Sequence, residues 1–157
     1  MTVFLNRYKL PVVDAFLRLY GEALADKFNL FAQYAGEGGT RLPEAIEFLP
    51  LPDDENEYED VVVKISNRIY ISERQVGRMG FTYPELFAAL CHELGHILYR
   101  THPWSGDSEE RADTLAAELG LGTQMIAVIE KIIASRRFRH LTSSLVQRIH
   151  FLQHQAG

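Results

Sequence analysis

The chain has 157 residues, of which 46% are hydrophobic and 24% are charged. These fractions are average for globular proteins, so they exclude a disordered tail, a collagen-like repeat and a disulfide scaffold. Since a domain commonly takes roughly 150 residues, the length predicts one domain spanning residues 1–157. Cys91 is the only cysteine, so no intrachain disulfide can form.

The formal net charge of -5 comes from one segment. Residues 53–60 hold six acids, and the rest of the chain is close to neutral. The basic residues after Glu130 are spread over two predicted helices, which is typical of a solvated surface, so we expect no nucleic-acid partner. The chain has neither a signal-peptide pattern at its amino terminus nor a run of roughly 18 apolar residues. We therefore expect no membrane span and a cytoplasmic location.

The amino-terminal half predicts one helix and three strands. Apolar residues recur at three- and four-residue steps over residues 11–28, which indicates an amphipathic helix. Residues 45–49 have the pattern of a short strand, which nearby prolines end. The β-branched runs VVVKI and RIYIS are separated only by Ser66 and Asn67, the spacing of a tight hairpin. We therefore expect a small three-stranded antiparallel sheet backed by the amino-terminal helix.

The carboxy-terminal half predicts four helices. Thr82 and Glu85 are spaced as a capping box, and the apolar stripe that follows indicates a helix to about Tyr99. Three more helices are expected at about residues 109–119, 123–134 and 143–154. The predicted fold class is therefore α+β.

The first of these four helices contains the sequence CHELGH, in which His92, Glu93 and His96 match H-E-x-x-H. Residues four apart on a helix lie on one face about 6 Å apart, so both histidines can bind one zinc ion while Glu93 stands beside them. This pattern is typical of metallopeptidases, in which the glutamate is the general base. The alternative is a surface helix with two exposed histidines.

A catalytic zinc site needs a third protein ligand and leaves its fourth position to water. Glu109 and Asp113 share one face of the next predicted helix, so Glu109 can bind the metal while Asp113 orients a ligand histidine. His102 has the spacing of a metzincin ligand, but Tyr99 stands where that pattern requires a glycine. Glu110 could replace Glu109 if the helix register differs by one residue. We favour Glu109.

Two other features have a structural interpretation. His150 and His154 repeat the four-residue spacing, but no glutamate follows His150. We expect both histidines to be exposed and to form no second metal site. Cys91 points roughly 100° away from His92 around the helix, so we expect a small core residue and not a ligand.

Several segments together resemble a known family. In chain order they are SNRIYISERQV, PELFAALCHELGHILY, EERADTLAAELG, IEKI and SSLVQRIHFL. They are similar to the soluble catalytic core of gluzincin metallopeptidases of the CAAX-prenyl-protease and HtpX type, over about residues 66–152. The chain lacks the transmembrane helices of the large members and looks like a small stand-alone member. A membrane substrate is therefore not implied.

The resemblance implies a zincin-like fold: the amino-terminal helix and small sheet, then the HExxH helix, the glutamate helix and two carboxy-terminal helices. It also implies one zinc ion as cofactor and a peptide or protein as substrate. The zinc ligands of the family correspond to His92, His96 and Glu109, with Asp113 as their support. The glutamate that acts as base and acid corresponds to Glu93.

The resemblance extends to two weaker correspondences. Arg148 or His140 would contact the oxyanion or the substrate, although Thr142 stands where the family places its histidine. In related enzymes an edge strand pairs with an extended substrate, and that strand corresponds to residues 68–72.

Two rival functions stay open. The chain also resembles regulatory proteases of the ImmA/IrrE type, which would make it an enzyme that cleaves a cytoplasmic transcription factor. Asp113 followed by Thr114 fits that type less well. The other rival is a zinc-binding module without activity, but a closed structural site would have no need of Glu93.

Overall fold

The structure, a computed structural model, describes residues 1–35, 41–100 and 107–155. Within these residues the chain is α+β, with six α-helices and a four-stranded mixed sheet. The residues fall into two compact units. The first holds Met1–Gln75 and the segment that begins at Ile97, and the second holds Val76–His96 and the helices that follow residue 107. The single domain expected from the length stays a prediction.

The first unit contains the sheet, whose strand order is β1-β2-β4-β3. Strand β1 pairs in parallel with β2, β2 pairs in parallel with β4, and β4 pairs antiparallel with β3. A long helix, α1, connects β1 to β2, as a parallel pair requires a crossover connection. The elements of this unit are β1 (Val3–Leu5), α1 (Pro11–Ala35), β2 (Ala45–Pro50), β3 (Val62–Ile65) and β4 (Arg68–Ile71).

The expected three-stranded antiparallel sheet is wrong in two respects. Strand β1 has only three residues, too few to show an alternating pattern, and its addition makes the sheet four-stranded. The hairpin of β3 and β4 is antiparallel as predicted, with Ser66 in its turn at φ 56, but β2 runs parallel to β4. Strand β4 therefore lies between two neighbours, so residues 68–72 are not the edge strand that the family resemblance implied. The edges are β1 and β3.

Helix α1 backs the sheet, as predicted, because its apolar stripe meets aromatic side chains of the strands. Phe28 stacks edge-on against Phe4 of β1, with ring centroids 5.4 Å apart, and Phe16 lies 6.3 Å from Phe48 of β2. Phe16, Phe28 and Phe48 are fully buried, and burial of each such ring stabilises the fold by roughly 2–3 kcal/mol. The helix is longer than the predicted residues 11–28 and continues to Ala35.

The second unit is helical, and its helices are close to the predicted ones. Helix α3 begins with the predicted capping box, in which Glu85 Oε1 accepts a hydrogen bond from Thr82 N (2.9 Å) and Thr82 Oγ1 accepts one from Glu85 N (3.3 Å). Helices α4, α5 and α6 pack against one another around buried side chains that include Leu115, Ile129 and Leu152. The bounds are α3 (Tyr83–Tyr99, of which residues up to His96 belong to this unit), α4 (Ser108–Glu118), α5 (Gly122–Ala134) and α6 (Thr142–Gln155).

One helix was not predicted. Helix α2 (Glu73–Met79) has seven residues, and a helix of two turns gives little periodic signal in a sequence that contains Gly77. No helix in the described part of the chain is both long and apolar enough to cross a membrane.

Candidate metal centre

Helix α3 presents His92 and His96 on one face. The two residues are four apart, and the rings meet edge-to-face with centroids 4.7 Å apart. Their Nε2 atoms lie 3.2 Å from each other. The sequence predicted this shared face, and the structure brings the two nitrogens that could bind a metal to one point.

Helix α4 supplies the third side chain, Glu109. Its amino terminus is capped by Asp107, whose carboxylate accepts hydrogen bonds from the backbone N–H groups of Glu109 (2.8 Å) and Glu110 (3.1 Å). This cap fixes Glu109 in the first turn. Glu109 Oε2 then lies 2.9 Å from Nε2 of His92 and 2.8 Å from Nε2 of His96.

The two imidazole nitrogens and the carboxylate oxygen fit a small divalent cation. In a tetrahedral zinc site with bonds of about 2.0–2.1 Å, neighbouring ligand atoms are roughly 3.3 Å apart. The three atoms here are 2.8, 2.9 and 3.2 Å apart, slightly closer than in such a site. Two histidines and one glutamate are also a known donor set of catalytic zinc. Within residues 1–35, 41–100 and 107–155, His92, His96 and Glu109 are the group whose ligand atoms converge in this way.

Asp113 contacts the ring nitrogen of His92 that does not face Glu109 and His96. It lies one turn after Glu109 on α4, is fully buried, and its Oδ1 is 2.7 Å from Nδ1 of His92. When Nδ1 carries the proton and donates it to Asp113, the Nε2 of neutral His92 presents a lone pair toward Glu109 and His96. Asp113 therefore selects the tautomer of His92 that a metal requires.

Arg148 of α6 holds Asp113 in place. Its Nε and Nη2 atoms donate to Oδ2 and Oδ1 of Asp113, both at 2.8 Å, in a two-pronged ion pair. Nη2 also lies 3.3 Å from Nδ1 of His92. These contacts let Arg148 orient the histidine through Asp113, and its contact with an oxyanion or a substrate stays a prediction.

Glu93 is placed beside the triad, as H-E-x-x-H predicts. Its Oε1 is 4.0 Å from Nε2 of His92, and its side chain is 18% exposed. The carboxylate is thus near the point where the ligand atoms converge without being one of the three. A base at this position can reach a water or substrate atom held at the metal.

The protonation of the cluster follows from these contacts. Burial of His92 opposes its protonation, but the hydrogen bonds to Asp113 and Glu109 outweigh burial and raise the pKa of His92 to about 9. Hydrogen bonds from His92 and His96 lower the pKa of Glu109. Burial tends to raise the pKa of Asp113, yet the bonds to His92 and Arg148 lower it. The two carboxylates therefore favour the charged form of the His92 imidazole.

Glu110 and His140 are not among the residues whose ligand atoms converge in the described part of the chain. Glu110 accepts a hydrogen bond from Gln147 of α6 (3.2 Å), so the register favours Glu109 as the third ligand. His140 is exposed in the turn Arg139–Leu141 and is not brought to the triad. His102, the alternative ligand, lies outside the described residues.

The expected burial of Cys91 and the expected exposure of His150 and His154 are confirmed. Cys91 is fully buried, and burial raises the pKa of its thiol well above the ordinary range. His150 and His154 are exposed on α6, where Nδ1 of His154 is 2.7 Å from the backbone oxygen of His150.

Sequence reasoning missed Asp107, whose cap positions Glu109. The signal was present, because an aspartate immediately before Ser-Glu-Glu is typical of a helix amino terminus with acids in its first turn. The glycine and proline nearby favoured a loop prediction for this whole segment instead.

Comparison with protein-family models, with curated proteins and with solved structures gives no match. The functional interpretation therefore depends on the side chains and their geometry.

Proposed function

We propose that this chain is a zinc-dependent peptide hydrolase with a zincin-like fold, of the gluzincin class. The observation that carries the proposal is the convergence of His92 Nε2, His96 Nε2 and Glu109 Oε2 within 3.2 Å of one another. Three electron-pair donors so close together repel one another unless a proton or a cation lies among them. The resemblance of the sequence to gluzincins supports the same interpretation of these three residues as zinc ligands.

The proposed reaction assigns a separate task to each side chain around the triad. A bound zinc ion would supply a water of pKa near 7 and would polarise the carbonyl of the peptide bond to be cleaved. Glu93 accepts a proton from the attacking water at its carboxylate and returns it to the leaving amine nitrogen. Its 4.0 Å separation from His92 Nε2 leaves it outside the ligand set and close to the metal position.

The buried pair of Asp113 and Arg148 would act before the reaction and not in it. It keeps the proton of His92 on Nδ1, so Nε2 is available to the metal. Asp113 is fully buried and hydrogen-bonded on both oxygens, which holds the imidazole in one orientation.

The decisive experiment separates metal binding from hydrolysis. Purified wild-type chain and Glu93→Gln would each be loaded with zinc, assayed for metal content, and incubated with an unfolded protein such as casein. We expect equal zinc content and loss of hydrolysis by at least about 100-fold in Glu93→Gln. The matched control is Glu130→Gln, an exposed carboxylate on α5, which should keep both properties.

Three outcomes are informative. Zinc retained and cleavage lost in Glu93→Gln supports the hydrolase. Zinc bound by the wild type without cleavage of any peptide tested favours the binding module without activity. No zinc bound by the wild type contradicts the metal centre itself.

A further inference from the structure

Helices α3 and α4 approach each other closely at Gly95. A Cβ atom added to Gly95 would lie 2.4 Å from the carbonyl oxygen of Ala112, 2.8 Å from its Cα and 3.0 Å from its carbonyl carbon. Non-bonded carbon atoms pack at about 3.5–4.0 Å. All three atoms belong to the backbone, so they cannot rotate aside as the end of a side chain would. The two helices can keep this separation only while residue 95 has no side chain.

This contact lies in the middle of the candidate metal centre. Gly95 directly precedes His96 on α3, and Ala112 directly precedes Asp113 on α4. Glu109 lies three residues before Ala112, about one helical turn away. The separation of the two backbones at Gly95 therefore determines the distance from the helix with both histidines to the helix with both carboxylates.

The tolerance of a metal site is smaller than the displacement that a side chain here would cause. Relief of a 2.4 Å contact requires a movement of roughly 1 Å. Metal–ligand distances in proteins hold within about 0.2 Å. The same movement would lengthen the 2.7 Å contact of Asp113 with His92 beyond a hydrogen bond. Even one methyl group at residue 95 would thus disturb both the ligand triad and its support.

We propose that Gly95 is a positioning residue of the metal centre, which sets the spacing of α3 and α4 so that His92, His96 and Glu109 converge on one ion. It touches neither metal nor substrate and acts through the backbone of Ala112. This inference rests on the proposed function, since the group being positioned is the proposed zinc site.

The test compares two glycine-to-alanine variants of the same unit. Gly95→Ala adds a methyl group against the Ala112 backbone. Gly77→Ala, in helix α2, adds one where nothing lies within 4 Å. Both substitutions raise helix propensity by a similar amount, so the difference between the variants isolates the contact.

The readout is metal binding and not activity alone. Zinc affinity would be measured by competition with a chromogenic chelator, and coordination geometry by the visible absorption of bound Co²⁺, which is intense in tetrahedral sites. We expect Gly95→Ala to bind zinc about 10- to 100-fold more weakly and to lose the tetrahedral Co²⁺ absorption. Gly77→Ala should match the wild type in both measurements.

Far-UV circular dichroism and thermal unfolding of the metal-free variants show whether the effect is one of spacing. A folded Gly95→Ala that has weak zinc binding supports the proposal. Wild-type affinity and an unchanged Co²⁺ spectrum in Gly95→Ala would overturn it while leaving the proposed function intact. Failure of metal-free Gly95→Ala to fold, where Gly77→Ala folds, would also overturn it, because the contact would then support the whole unit. If the wild type binds neither metal, the proposed function fails first.

Discussion

Helix α3 takes part in two clusters of charged groups, and they differ in kind. At its amino terminus, Glu85 Oε1 accepts hydrogen bonds from Thr82 N and from Lys131 Nζ of α5, and Lys131 Nζ also donates to the carbonyl of Gly80. The lysine lies 5.8 Å from the ring centre of Phe81. Here every contact joins a donor to an acceptor, and the cluster is complete without any ligand.

Two turns further along α3, the second cluster brings three atoms that can bind a metal close together. Nε2 of His92, Nε2 of His96 and Oε2 of Glu109 are all capable of donating an electron pair, and they face one another. On the other side of His92, Asp113 and Arg148 form an ion pair in which each donor meets an acceptor. Among the described residues, the first cluster has no atoms that converge as metal ligands, whereas the second has three that can hold a cation.

The largest effect should follow from removal of a ligand atom. We expect His92→Ala, His96→Ala and Glu109→Ala each to lose the bound zinc, from about one ion per chain to almost none. Metal analysis after dialysis measures this. The matched controls are His150→Ala, exposed on α6, and Glu110→Ala, which adjoins Glu109 but bonds to Gln147.

The same metal analysis, with His102→Ala added, tests the identity of the third ligand. If Glu109→Ala kept its zinc while Glu110→Ala or His102→Ala lost it, the third ligand would be misassigned. The second cluster would then bind its cation through a side chain other than Glu109.

A smaller effect should follow from disturbance of the support behind the triad. We expect Asp113→Asn to weaken zinc affinity by about 10- to 100-fold, since the amide still reaches His92 but no longer favours the required tautomer. Arg148→Lys keeps the charge but loses the two-pronged geometry, and it should give an intermediate loss. Chelator competition measures both, with Arg139→Lys, an exposed substitution of the same type, as the control. Unchanged zinc affinity in Asp113→Asn would contradict the proposal that Asp113 orients His92.

Much of the candidate site was predictable because it is local. The motif at His92 and His96 lies on a helix whose start was readable from Thr82 and Glu85, and four-residue spacing fixes a shared face without tertiary information. Glu109 and Asp113 follow the same rule on α4. The partner of Arg148 was not predictable, since the two side chains of that ion pair lie 35 residues apart on helices whose packing the sequence pattern does not specify.

The fold was predicted less well where pairing is non-local. The hairpin of β3 and β4 was readable because two residues separate its strands, and a turn determines its register. Strand β1 pairs with β2 although all of α1 separates the two strands in the sequence. Its three residues are too few to show the alternating pattern that indicates a strand. The close approach at Gly95 was equally invisible, because a glycine inside a helix lowers helix propensity and gives no sign of what packs against it.

The smallest effect should come from the self-contained cluster at the start of α3. We expect Lys131→Met to lower the free energy of unfolding by about 1–2 kcal/mol at neutral pH, because the largely buried Glu85 loses its cation. This corresponds to a fall in Tm of about 2–8 °C in a chain of this size. Zinc affinity should not change, and Lys9→Met, at an exposed position of the first unit, should have almost no effect on stability.

The pH dependence of the difference in unfolding free energy between wild type and Lys131→Met identifies the cause of that difference. Burial tends to raise the pKa of Glu85, but the bonds to Lys131 and Thr82 outweigh burial and lower it. A carboxyl group whose pKa is lower in the folded state adds stability above its unfolded pKa, and this stability is lost as the pH falls through the folded pKa. The gap in unfolding free energy between wild type and Lys131→Met should therefore be constant above about pH 5.5 and narrow as the pH falls below about 4.5. Urea unfolding at pH 7, 5 and 3.5 measures it. A gap that stays the same at all three values would mean that packing of the lysine stem, and not its charge, stabilises this end of α3.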